Sequence, residues 1–139
     1  MIASEFARDV HTTVGPLLEE LGFVLDEIDD SPDKGGRRRH IVYYRSSDCK
    51  LQVNESSREG EFNCMIAPLD APNAFGLDTT KWQFLTRFSK RPDLPLAELA
   101  AQARAEYESY ANPLEWVRDR IVKYYEAAHA GILEMYSAE

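Results

Sequence analysis

Histidine and cysteine are scarce in this chain, with three of one and two of the other among 139 residues. His11, His40 and His129 stand far apart, and no HExxH, CxxC or histidine-rich spacing groups them. The metal sites that such spacings encode are therefore not expected. Cys49 and Cys64 are too few for a disulfide-built scaffold and fit a reducing compartment. There is no GxSxG, no P-loop and no GxGxxG, so the common routes to nucleophilic catalysis and to phosphate or dinucleotide binding leave no trace. No catalytic residue and no cofactor is assigned. No apolar run is long enough to cross a bilayer, and "MIASEFARDV" carries acidic residues where a secretory signal needs an apolar core. A cytoplasmic protein with no membrane partner is expected. Internal repeats, low-complexity segments and linkers are also missing, which predicts one domain over residues 1–139.

What is present is an ordinary globular composition, 44% hydrophobic and 29% charged, with two Trp, seven Tyr and six Phe. So many aromatics argue against disorder. Charge is unevenly spread around a total of −8. Residues 1–33 hold one basic and nine acidic groups, residues 34–50 six basic and one acidic, and residues 51–139 nine basic and fourteen acidic. An acidic body repels nucleic acid and anionic membrane, so any such binding would have to come from the one basic stretch.

The pattern predicts an α+β fold. Ser4 can cap a first helix in which Phe6, Val10, Val14, Leu17, Leu18 and Leu21 share a face. Gly15-Pro16 should kink or break it, and Gly22 should end it. Four strand-like runs follow. They are "FVLDEI" (23–28), "HIVYYRS" (40–46), "CKLQVNES" (49–56) and "EFNCMIA" (61–67), separated by turn-rich "DDSPDKGG", "SSD" and "SREG". Cys49, Leu51 and Val53 alternate with Lys50, Gln52 and Asn54, and Phe62, Cys64 and Ile66 form a similar row. This predicts a four-stranded antiparallel meander with one wet face, which would carry Lys50, Gln52 and Asn54. Whether Ile41/Tyr43 or Val42/Tyr44 point inward depends on the length of the "SSD" loop, because a slip of one residue exchanges the faces.

After the long connection "PLDAPNAFGLD", about three helices are expected, packed on one face of the sheet. Thr79 would cap a short one carrying Trp82, Phe84, Leu85 and Phe88. Leu96, Leu99, Ala103, Tyr107 and Tyr110 mark a second. Asn112, Pro113 and Glu115 form an N-terminal cap for the third, whose stripe is Leu114, Val117, Ile121, Tyr125, Ala128 and Ile132. Trp116, Tyr124, Tyr125 and Tyr136 add more aromatic surface than one buried face needs, which points to a homodimer.

Chemical constellations are few. In a tight hairpin Cys49 pairs near Tyr44, leaving His40 on the order of 13 Å away, too far for a thiolate–imidazole dyad. Both cysteines read as small buried hydrophobes, offset too far along their strands for a disulfide. The acidic run Asp26, Glu27, Asp29, Asp30 and Asp33 lacks the EF-hand pattern. "DKGGRRR" feeds a strand, whereas a phosphate cradle normally feeds a helix. There remains "RRRHIVYYR". Arg37, Arg38, Arg39, His40, Tyr43 and Arg45 combine cations with aromatics. Three readings apply: a solvated rim that blocks edge pairing, a docking patch for an acidic protein partner with a tyrosine as anchor, and, against the overall charge, single-stranded nucleic acid.

Taken together, "LLEELGF", "HIVYYRSSDCKLQV" and "EFNCMI" resemble small uncharacterised bacterial α+β domains of about this length. In these an N-terminal helix leads through "LxxxGF" into a meander, and helices close the chain. Some are encoded beside secreted toxins and act as immunity proteins. The resemblance spans most of the chain in outline and assigns no functional residue. It implies a non-enzymatic protein-binding domain, immunity-like or regulatory. Secretion chaperones are also small, acidic and α+β, but their strands and helices follow a different order. The competing expectation is a small enzyme or ligand-binding protein with a pocket between sheet and helices.

Overall fold

The computed structural model describes residues 5–31, 36, 39–56, 61–73, 81–89 and 93–136. Helices α1 (Glu5–Thr13) and α2 (Gly15–Glu20) come first. Strands β1 (Val24–Asp29), β2 (Arg39–Arg45), β3 (Cys49–Ser56) and β4 (Glu61–Pro68) follow. A two-residue strand β5 (Gln83–Phe84), a 3-10 turn (Leu85–Phe88) and helices α3 (Leu96–Glu108) and α4 (Pro113–Met135) complete the chain. The α+β class predicted from the pattern is the class observed.

Local chemistry accounts for the element ends. The first helix is interrupted at Val14, beside Gly15-Pro16, as proline's missing N–H and its ring crowding demand. Gly22 leaves α2 at φ 89°, a left-handed conformation that costs glycine nothing. At α4, the Asn112 side chain accepts the Leu114 N–H at 3.0 Å and Pro113 occupies the first turn. The expected caps Ser4 and Thr79 and the turn 57–60 lie outside the described residues.

The sheet is antiparallel in the order β1-β2-β3-β4-β5. Arg45 pairs with Lys50, and Ser46 N–H donates to the Cys49 carbonyl at 2.9 Å, so only Ser47 and Asp48 lie between the paired residues Ser46 and Cys49. That register puts Val42 and Tyr44 on the helix-covered face with Leu51, Val53, Cys64 and Ile66. It also places Cys49 opposite Ser46 instead of near Tyr44, which carries it further still from His40, the partner of Glu55. Val53 faces Cys64, and both cysteines are free thiols.

Helix α4 covers this face with Leu114, Val117, Ile121, Ala128 and Ile132, all buried with α1 and α2 residues in the main core. Gly131 lets the 3-10 turn approach closely, because a Cβ there would stand 2.2 Å from the Phe88 ring. In α3 no residue is buried, and Leu96 is 70% exposed. This helix reaches the core through Tyr107, whose ring meets Trp116 edge-on at 4.8 Å, and Tyr110 just past its end packs there too.

Two expectations are corrected. The sheet has a fifth strand, because Trp82–Phe84 does not begin a helix: Gln83 and Phe84 pair with Ile66 and Met65. The second sheet face is not wet. Gln52 is 0% exposed and Asn54 3%, beside a second core of Ile41, Tyr43, Met65, Ala67, Ala71 and Trp82. The chain after β4 folds back over this face. Lys50 donates to the Ala71 carbonyl at 2.8 Å and to Asn73 Oδ1 at 2.9 Å, and the Trp82 indole N–H donates to the Pro72 carbonyl. Buried amides need partners, and Asn54 Nδ2 donates to Gln52 Oε1 at 2.8 Å. The aromatics in and just after α4 also make contacts within the chain. Trp116 is buried, Tyr125 meets Phe23 edge-on, and Tyr136 accepts from Gln83 Nε2.

Candidate functional site

The described cations on β2 lie against counter-ions of the same chain. Arg39 Nη2 sits 3.6 Å from Asp29, and its Nε donates to the Ser31 carbonyl at 3.1 Å. His40 Nδ1 is 2.8 Å from Asp30 Oδ1, and its ring stacks on Phe6. Arg45 Nε is 3.5 Å from Asp26. Register explains this: β2 carries the cations and its neighbour β1 the carboxylates. Such pairs near the surface contribute little to stability, but they spend the positive field that was to attract an acidic partner. Tyr43, read from sequence as an anchor for a partner, is buried in the second core against Trp82, and Tyr44 is buried in the first. Both rings are almost wholly buried, at 1% and 4% exposure. Arg37 and Arg38 lie outside the described residues.

A different feature stands out along β1. Helices pack over β2, β3 and β4, but β1 at the sheet edge is left largely exposed. Between α1 and the strands β1 and β2 this leaves an open groove of about 270 Å³. Leu25, Ile28, Val42 and Tyr44 form its apolar floor, and Ala7, Arg8, His11 and Thr12 form the helical wall. Leu25 is 54% exposed, and Val24 beside it is 58% exposed. Burial pushes the Tyr44 hydroxyl up to about 12, so the floor is uncharged at neutral pH. The edge of β1 is itself blunted. Its pairing with β2 shifts register between Leu25 and Glu27, and Asp26, Glu27 and Asp29 charge it. Asn73 Nδ2 also donates to Asp26 and Glu27, at 2.9 and 2.8 Å. The groove, then, is open on the helical side, and the strand edge resists added strands.

A second grouping joins residues far apart in sequence. At the β2–β3 turn, His129 Nε2 of α4 sits 3.0 and 3.1 Å from the two carboxylate oxygens of Asp48, next to Cys49. Burial works to raise the Asp48 pKa, but the bond and charge of His129 and a bond from Ser46 outweigh it and hold the carboxyl below its usual value. Cys49 is fully buried, and its thiol is pushed up to about 11. Cys64 is pushed up to about 12 by burial. Neither is a thiolate at neutral pH, which agrees with their reading as buried hydrophobes. Sequence treated the histidines as isolated. The one available signal was that His129 follows Tyr125 by four residues, on the flank of the buried stripe.

Comparison with protein-family models, with curated proteins and with solved structures gives no significant match. Among the described residues no helix is long and apolar enough to cross a membrane.

Proposed function

We propose that this chain is a non-enzymatic protein-binding module that docks an amphipathic helix of its partner in the groove between α1 and β1. The observation that carries this reading is the uncovered floor: Leu25 and Ile28 lie where the helical layer ends, with Leu25 more than half exposed. A partner helix lying beside α1 would extend that layer over β1 and bury an apolar stripe at ordinary helix-packing distances. Arg8, His11 and Thr12 on the wall offer polar contacts that fix its orientation. Strand addition is the weaker use of this edge, because a bulge and three carboxylates oppose it. An immunity-like or regulatory role is compatible with a module of this kind. The basic stretch is not its main dock, since Arg39, His40 and Arg45 already face carboxylates.

The experiment is a selection of amphipathic helical peptides displayed as a library, followed by amide chemical-shift mapping of the best binder. Shifts centred on Ala7, His11, Leu25 and Ile28 are expected. Shifts centred on Arg39 and Arg45 or on α3, or a library that yields no binder at about micromolar affinity, would count against the reading.

A further inference from the structure

We propose that Asp48, Cys49 and His129 form a site for a zinc-class divalent cation, distinct from the groove. One donor atom of each residue lies within 4.8 Å of the others. A tetrahedral zinc ion with bonds of about 2.0–2.3 Å holds its ligands roughly 3.3–3.8 Å apart, so the donors need only small shifts to close on an ion. The set is one thiol, one imidazole and one carboxylate, which suits zinc and its first-row neighbours and not magnesium or calcium. Ser46 Oγ stands 3.1 Å from Asp48 Oδ1 and 3.5 Å from Cys49 Sγ, and a water would complete the set as fourth ligand.

The ligands are held in place before any ion arrives. Ser46 Oγ accepts the N–H groups of Asp48 and Cys49 at 3.3 and 3.2 Å, which pins the turn. His129 sits on the long helix α4, and its ring stacks on Tyr125 with centroids 5.2 Å apart. Positioning of this kind around the ligands is what tunes metal affinity. Asp48 and His129 are partly exposed and give an ion its way in, while Cys49 forms the inner wall. Cys49 would bind as a thiolate, so an ion displaces the thiol proton.

The bland account of the same atoms is a His–Asp ion pair that ties α4 to the hairpin. In that account the Cys49 thiol only fills core space beside Ser46, and the difference decides the test. Cobalt(II) is titrated into the full chain, and the near-ultraviolet thiolate-to-cobalt band is read. Zinc is then added as competitor. The band is expected with the wild type and with Cys64→Ser. It should vanish in Cys49→Ser, and His129→Ala should weaken zinc binding by more than about tenfold. Circular dichroism checks that each variant is folded. If Cys49→Ser does not fold, His129→Ala and Asp48→Asn carry the test from partly exposed positions. No band in the wild type, a band that survives in folded Cys49→Ser, or zinc affinity unchanged in both His129→Ala and Asp48→Asn would overturn the site.

Discussion

Two parts of the helical layer meet the same sheet in opposite ways. Over β3 and β4, α4 seals the surface, with Val117, Ile121, Ala128 and Ile132 fully buried. Over β1 no such seal is present, and Leu25 stands half in water beside an apolar groove. Both regions are built from the same aliphatic residues, and only one has its cover. Isolated exposed apolar residues are commonplace, but a concave strip of them next to a helix is where a partner gains buried area. The sealed region holds the fold together. The open one is free to bind.

Substitutions can separate these roles. The largest effect is expected under α4. Ile121→Ala removes a fully buried side chain and leaves a cavity that the sheet cannot close, at a cost of about 2–5 kcal/mol. Denaturant melting should show a lower midpoint with an unchanged slope. A loss below about 1 kcal/mol would mean that α4 is packed less tightly than its burial indicates. A far smaller effect is expected at the ion pairs of β1 and β2. The Arg45 side chain is more than half exposed, so Arg45→Ala should shift stability by less than about 1 kcal/mol. It should also leave the affinity for a helical peptide nearly unchanged. A large loss of binding would return the docking site to the basic stretch.

How far the sequence discloses this arrangement can be argued from particular residues. Gly15-Pro16, Gly22 and Asn112-Pro113 act through local backbone chemistry, and each does what its residue type requires. The alternation in β3 and β4 identifies the main core correctly, because one face meets a continuous helical layer. The same alternation misleads on the other face. Lys50, Gln52 and Asn54 look like solvent residues until the chain after β4 folds back and supplies their partners or cover. Two residues of strand at Gln83–Phe84 are too short to leave a period of their own. The basic stretch is plain in the sequence, but its neutralisation depends on which strand lies beside it. The Asp48–His129 contact spans 81 residues, and the groove joins the flank of α1 to strands further along the chain, so neither leaves a local pattern.

The central claim is that the α1–β1 groove binds and does not stabilise, and Leu25→Lys tests it most directly. Lysine is well tolerated on a strand edge. Its ammonium in the floor of the groove would nevertheless be stranded under any docked helix. Stability and peptide affinity are measured on the same sample. The account predicts a stability within about 0.5 kcal/mol of the wild type and an affinity lower by about tenfold or more. A variant that melts early would show that Leu25 belongs to the core, and one that keeps both its stability and its affinity would show that binding takes place elsewhere.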